Sequence, residues 1–278
     1  MLDTLKVVLP LDHERQIHGG FVGATDAGGE LEWSRARRLE LDGSHDARLV
    51  VLSDPTIPSE MSDAPPVPGK LIVEGSFAKF MQGHNVFGPE DLVPLVAAVA
   101  ERLADDLLRR YSWLRIDPGD VAAWHAGAFE VYRTDCTASV ALRSSREAEE
   151  WVRGLHSTSS LRGRPRHDRN LVGYTAYWGQ HSRRWTLKVY PKGRELQAAG
   201  HKLPVELLCG EHGPALLEHA APLARLELTL RRTELVRLGL GRGSDWRPET
   251  CATLHADHFG RLSMPEHVSL SSAAEDAL

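Results

Sequence analysis

Cysteine is scarce in this chain: there are three in 278 residues, Cys136, Cys209 and Cys251. They are widely spaced and odd in number. That excludes a disulfide framework or a zinc site and fits a reducing compartment, here expected to be the cytoplasm. Long apolar runs are also missing. The longest, around Leu92 to Ala100, is too short and too interrupted to cross a bilayer, so no membrane association is expected. The opening MLDTLKVVLP lacks a basic flank followed by a long apolar stretch and reads as a first strand rather than a secretory signal. An excess of positive charge is absent too. The formal net charge is −5, unlike the basic chain expected of a nucleic-acid binder. No internal repeat is present. With 42% hydrophobic residues over this length, the chain can bury one sizeable core or two small ones.

The charge is unevenly placed. Arg143 to Lys202 carries 13 Lys and Arg against 5 Asp and Glu, a local balance of +8, and the rest carries 20 against 33. A segregated basic segment suits a phosphate-binding face, because each neutralised phosphate releases counterions. The stretch 157–170, STSSLRGRPRHDRN, equally has the composition of a solvated loop.

Short alternating segments at Leu5–Leu9, Arg48–Leu52 and Lys70–Gly75 read as strands, separated by Gly, Asp and Pro clusters that read as loops. A helix follows. Pro89 stands as its first residue, and Leu92, Val96, Val99, Leu103 and Leu107 recur every three or four positions. A second helix is expected after Ser144 and Ser145, a third near Gly213–Ala221, and a frayed tail over Ser269–Leu278. Three further segments, Glu130–Leu142, Arg183–Lys192 and Leu223–Arg232, have strand composition. Alternation sorts each into two faces. Arg133, Asp135 and Thr137 oppose Tyr132, Cys136 and Val140. Lys188, Tyr190 and Lys192 oppose Trp185, Leu187 and Val189. Arg225, Glu227, Thr229 and Arg231 oppose Leu226, Leu228 and Leu230.

If these strands are neighbours, two carboxylates able to hold a hard divalent cation lie near a tyrosine hydroxyl flanked by lysines. Lys188 and Lys192 are then expected to lower the tyrosine pKa and hold a phosphate nearby. An ordinary half-exposed sheet with an ion-pair ladder and a packed tyrosine shows the same pattern.

Two segments are more specific. SFAKFMQGHNVFGPEDL (76–92) resembles the AKxxQGHNVFG segment of filamentous-phage replication initiators, the gene II protein family, and SRRWTLKVYPKGREL (182–196) resembles that family's SRxxTLxxYxKxxEL segment. YRTDCT matches the RxDxT strand through Arg133, Asp135 and Thr137, and ARLEL matches the RxE strand through Arg225 and Glu227. The resemblance runs to about residue 235. It implies an α+β fold, with a central, largely antiparallel sheet and flanking helices in the style of rolling-circle (HUH-like) endonucleases. It implies a catalytic nickase domain over 1–240, with possible sub-lobes 1–128 and 129–240, and a C-terminal extension over 241–278. The implied activity is nicking of origin DNA through a 5′-phosphotyrosine on Tyr190, with Lys192 assisting. The metal, Mg²⁺ or Mn²⁺, is expected on Asp135, Glu227 and His84. The His-hydrophobic-His triplet of the broader superfamily is absent.

Expected DNA contacts are Arg133, Lys188, Arg183, Arg184, Arg162, Arg164, Arg166 and Arg169. The expected partners are phage or plasmid origin DNA, double- and single-stranded, with host helicase and polymerase, in the bacterial cytoplasm. Several residues keep a second reading. His84 also suits a helix lead-in, Trp178 and Trp185 suit either the core or base stacking, and the pair His255 and His258 has metal-like spacing without a third ligand. A non-catalytic DNA-binding regulator on the same scaffold, or a plasmid initiator, are the alternatives in function.

Overall fold

The computed structural model describes residues 1–15, 21–25, 31–36, 49–54, 68–161, 169–198, 210 and 212–263. Its centre is an eight-stranded sheet in which every neighbouring pair is antiparallel. In chain order the strands are β1 (Leu2–Pro10), β2 (Phe21–Thr25), β3 (Leu31–Ala36), β4 (Leu49–Asp54), β5 (Lys70–Ser76), β6 (Glu130–Ala141), β7 (Ser160–Leu161), β8 (Arg169–Val172), β9 (Thr175–Trp178), β10 (Trp185–Pro191), β11 (Leu223–Arg231) and β12 (Leu262–Ser263). The main sheet runs β4-β5-β1-β6-β11-β10-β9-β8, while β2–β3 and β7–β12 form separate pairs. The helices are α1 (Phe77–Gln82), α2 (Leu92–Arg110), α3 (Pro118–His125), α4 (Ser145–Thr158), α5 (Lys192–Gln197), α6 (His212–Ala220), α7 (Arg232–Arg237) and α8 (Thr250–Phe259). The fold is α+β with a central antiparallel sheet and flanking helices, as the sequence implied. Among the described residues no helix is long and apolar enough to cross a membrane.

Helix boundaries follow local chemistry. The Ser76 hydroxyl accepts the Lys79 N–H at 3.3 Å and starts α1, and Gly83 ends it at φ 80°, a left-handed position that favours glycine. That glycine is the second residue of the QGHNVFG segment, so part of the motif is a helix stop. Asp91, rather than Pro89, opens α2: its carboxylate accepts the Val93 N–H at 3.3 Å. Pro89 lies before the cap, where its carbonyl takes the Leu2 N–H at 2.7 Å and ties the helix lead-in to β1. Ser144 caps α4, the helix expected after that serine pair.

One large core spans the main sheet and the helices packed on it, and a smaller cluster of Val86, Leu196, Leu216, Ala220 and Leu223 lies apart from it. Leu5, Val73, Phe80, Leu103, Val131, Leu187, Leu228, Trp246, Leu254 and Phe259 belong to the large core. The sheet is therefore continuous across residues 128 and 129, and residues 246–262 contribute to its core; residues 264–278 lie outside the described residues. Cys136 and Cys251 are buried free thiols, and Cys209 lies outside the described residues.

The alternation expected along β6 breaks at its start. Pairing with β1 shifts between Lys6–Arg133 and Val7–Val131, a bulge that inserts an extra residue. Val131 consequently turns into the core, and Tyr132, expected beside Cys136, stands 37% exposed with the Arg232 guanidinium 4.6 Å from its ring centre. Beyond the bulge the expected faces hold, with Asp135 and Thr137 opposite Cys136 and Val140.

Candidate active site

The three strands β6, β11 and β10 are consecutive in the sheet, which places their polar faces side by side. Glu227 pairs in register with Thr137 on one side and Lys188 on the other, and Tyr190 pairs with Arg225. A cavity of about 350 Å³ opens over this face. Arg133, Asp135, Lys188, Tyr190 and Glu227 line it, with Asp3, Asn85, Tyr177 and Glu195 at its edges. Five of the residues expected from sequence thus share one cavity.

Tyr190 donates its hydroxyl hydrogen to Glu227 Oε2 at 3.1 Å. Lys188 Nζ ion-pairs with Glu227 Oε1 at 2.5 Å. Arg133 grips Asp135 with two hydrogen bonds, Nε to Oδ1 at 3.1 Å and Nη2 to Oδ2 at 2.8 Å. Both carboxylates are buried, Asp135 at 2% exposure and Glu227 at 3%. Burial first, and then the Glu227 charge, pushes the Asp135 carboxyl up to about 7, against the pull of Arg133 and Lys188.

The electrostatic expectation for the tyrosine is overturned. Burial, and next the Glu227 carboxylate, raise the Tyr190 phenol well above its ordinary range, with only Arg225 pulling appreciably the other way. Lys188 Nζ lies 5.7 Å from the Tyr190 ring centre, and its charge does not offset burial and the Glu227 carboxylate. The phenol is therefore protonated at rest, with its proton directed at a carboxylate.

Lys192 also sits differently from the expectation. The strand ends at Pro191, and Lys192 is the first residue of α5 with no exposed surface. Its ammonium donates to Asn85 Oδ1 at 2.8 Å and to Glu195 at 2.6 Å, and it is absent from the cavity lining. Burial, followed by the Arg225 charge, lowers its pKa to about 8.

His84 is buried apart from the two carboxylates. Its Nδ1 lies 3.3 Å from Gln82 Nε2, and its ring meets Phe87 edge-on at 4.6 Å. Among the described residues no group of three or more His, Cys, Asp or Glu is gathered as a metal cluster. His255 and His258 are likewise buried in packing positions, bonded to the carbonyls of Leu226 at 3.2 Å and Leu254 at 2.8 Å. Trp178 and Trp185 are both core residues.

The expected DNA contacts divide. Arg133 and Lys188 line the cavity, and Arg183 is exposed. Arg184 pairs at 2.5 Å with the fully buried Glu234, which Arg237 also holds. Arg169 Nη1 donates to the carbonyls of His156, Ser157 and Ser159 at 3.0, 3.2 and 3.0 Å, closing the end of α4. Arg162, Arg164 and Arg166 lie outside the described residues.

Residues 1–249 match the family defined by the N-terminal region of the phage replication-associated protein, the gene II protein. The chain belongs to this family. It is 28% identical over 277 residues to the replication-associated gene II protein of Enterobacteria phage I2-2, covering 98% of this chain and 74% of that protein. Against the corresponding protein of Enterobacteria phage M13 it is 28% identical over 179 residues, 60% of this chain and 41% of that protein. Among solved structures, a rolling-circle replication initiator protein from Geobacillus stearothermophilus aligns with 99% of this chain and 89% of its own, at 13% identity and a TM-score of 0.38.

The family motif residues Arg225 and Lys192, outside the cavity lining, build its frame, a role that sequence reasoning missed. Arg225, with no exposed surface, donates to the carbonyls of Asn85 and Val86. Asn85 donates to Asp3 Oδ2 at 2.8 Å and accepts from Lys192, and Asp3 accepts the Ser76 hydroxyl hydrogen at 2.6 Å. Buried charges thus clamp the HNV turn against β1, β11 and α5. Gly193 fits the same scheme, since a Cβ there would come within 2.8 Å of Ala221 Cα. The one available signal was a pair of charged residues, Arg225 and Lys192, at positions the strand pattern assigned to an exposed face.

Proposed function

We propose that this protein initiates rolling-circle replication by nicking one strand of phage or plasmid origin DNA, with Tyr190 as nucleophile. The observation that carries the reading is the tyrosine hydroxyl aimed at Glu227 at 3.1 Å, on the floor of a cavity that also holds Arg133, Lys188 and Asp135. Tyr190 Oη attacks the scissile phosphorus as its proton passes to Glu227. The new bond joins tyrosine to the 5′-phosphate; the P–O3′ bond breaks, and the departing oxygen takes a proton from water. A phenol with a raised pKa is poorly ionised but strongly nucleophilic once deprotonated, so proton transfer to Glu227 must accompany attack. Arg133 and Lys188 supply positive charge for the non-bridging phosphate oxygens. Religation reverses the path, with Glu227 returning the proton.

The donor chemistry fits a hydrated Mg²⁺ or Mn²⁺. A buried Asp135 whose ionisation the Glu227 charge opposes is relieved by a cation, and Mg²⁺ commonly takes one or two carboxylates, with waters and substrate phosphate completing the shell. Asp135 and Glu227 would hold it, exchanging part of their contact with Arg133 and Lys188. When bound, such an ion neutralises charge on the phosphoryl oxygens. In this reading Lys192 positions the site through Asn85. The free 3′-hydroxyl primes synthesis by the host polymerase behind a host helicase, in the bacterial cytoplasm.

The test is incubation of the protein with supercoiled origin plasmid and Mg²⁺, with Tyr190→Phe alongside. The wild type should form a nicked circle and a denaturant-resistant protein–DNA adduct. The Phe variant should bind DNA within about twofold and form neither product, since it loses only one hydroxyl. An adduct from the Phe variant would move the nucleophile to Tyr177 or Tyr174, and full activity in chelator would remove the metal. DNA binding by the wild type without nicking would favour a regulator.

A further inference from the structure

The β8–β9 hairpin carries an unusual amount of exposed apolar surface. Leu171, Val172 and Tyr174 are 38%, 53% and 39% exposed around a turn made by Gly173 at φ 60°. Two guanidinium groups from different helices converge on the Tyr174 ring. Arg153 of α4 lies 5.4 Å from its centre, and Arg194 of α5 lies 5.1 Å away. Arg194 is fixed by a 2.5 Å ion pair from Nε to Glu149, whereas Arg153 is exposed on its helix. The cluster borders the active site. Thr175 and Tyr177, just past Tyr174, line the cavity, as does Glu195 beside Arg194. The register that pairs Ala176 with Val189 brings the Tyr174 and Tyr190 ends of the two strands together.

We propose that Tyr174, Arg153 and Arg194 form a platform for single-stranded DNA, stacking one unpaired base next to the strand that enters the Tyr190 cavity; the identity of that strand as origin DNA rests on the nickase reading. An aromatic ring beside guanidinium groups is the pairing that binds single strands, the ring taking the base and the cation taking the backbone. A guanidinium and a base are both flat and both stack on a tyrosine. A base therefore replaces Arg153 on the ring, and Arg153 turns to the phosphate of that nucleotide. Arg194, anchored by Glu149, keeps the opposite side of the platform in place. Duplex DNA offers no free base face and gains nothing from the ring. The platform thus selects an origin that is already open beside the scissile bond.

The experiment measures fluorescence anisotropy of a labelled oligothymidine of about 12 nucleotides, and of a duplex of equal length, in chelator so that no bond is cut. Tyr174→Leu keeps apolar bulk at the hairpin but removes the ring, and should weaken single-strand binding about 5- to 100-fold. Tyr174→Trp should bind within about twofold of wild type, and duplex affinity should change less than twofold in both variants. Arg153→Ala should flatten the slope of log affinity against log salt by about 0.7 on the single strand. Wild-type affinity in the Leu variant, or an equal loss on duplex, would overturn the platform. The origin-nicking assay is scored separately on wild-type protein. Tyr174-dependent single-strand binding without any adduct would sink the nickase and leave the platform standing; an adduct with Tyr174-independent binding would do the reverse.

Discussion

Replacing Asp135 with Asn should make the protein more stable at alkaline pH and much less active. The Asp135 carboxyl is buried and is held up to about 7 by burial and by the Glu227 charge, against an ordinary value of 3.8. The folded state therefore keeps this proton until about pH 7, while the unfolded chain releases it near 4. Between those values the folded state binds more protons, so this group's contribution is fully present below about pH 4 and is lost as pH rises through 7. Each unit of difference corresponds to about 1.4 kcal/mol, so three units set an upper bound of about 4 kcal/mol. Only about two of those units lie above pH 5, which brings the change expected between pH 5 and pH 8 to about 2–3 kcal/mol. Asn has nearly the same shape, has no charge to desolvate, and its oxygen still accepts from Arg133. Urea unfolding at about pH 5 and pH 8 reads the effect, with equal slopes required for the comparison. Wild type should lose about 2–3 kcal/mol between the two pH values relative to Asp135→Asn, and the variant should be the more stable protein at pH 8. A wild type as pH-independent as the variant, or a variant less stable at pH 8, would refute the electrostatic reasoning. Mg²⁺ that raises the wild-type midpoint at pH 8 and leaves the variant unmoved would show a cation taking the place of that proton.

Glu227→Gln should slow nicking by two orders of magnitude or more, on the scale of a lost general base, and wild-type nicking should rise through about pH 7 as the Asp135 carboxyl ionises. A flat profile across that range, measured as adduct formed per minute, would remove the requirement for an ionised Asp135, and wild-type activity in the Gln variant would remove Glu227 as the proton acceptor. Arg225→Ala strips the donors from two buried carbonyls and opens a cavity; urea unfolding should show a loss of about 3–5 kcal/mol, with Arg225→Lys recovering only part. Changing Arg162, Arg164 and Arg166 together to Ala should flatten the duplex salt slope by about 0.9 for each lost phosphate contact, and an unchanged slope would make them a solvated loop. Arg169→Ala should instead cost about 1–2 kcal/mol of stability through the unpaired end of α4, with the salt slope unmoved.

Much of this site was legible in the sequence because strands have a period of two. Knowing only that β6, β10 and β11 are strands, one can place Asp135, Lys188, Tyr190 and Glu227 on like faces, and the family motifs singled out the same residues. The helices that could be read were α2 and α4, which have a strong pattern or a cap, and α6, expected near Gly213–Ala221 and found over His212–Ala220. α8 was not read, because it lies in a stretch where weak amphipathicity gives no signal. The Tyr132 error has a specific cause: a β-bulge is a property of two paired strands, and nothing in one strand's composition announces it.

By itself the sequence determined the main sheet-forming segments, most of their polar and apolar faces and the family to which the chain belongs, since each depends on residues close together along the chain. Tertiary structure alone decided the rest. Whether Lys192 faces DNA or holds Asn85 depends on a helix beginning one residue after a strand ends. Whether Arg169 meets phosphate or closes α4 depends on a helix end ten or more residues away. Whether Tyr190 is acidified by lysines or held protonated depends on burial and on the Glu227 carboxylate beside it. Charge acts through space and through the surrounding medium, and neither the distance nor the medium is written in the order of the residues.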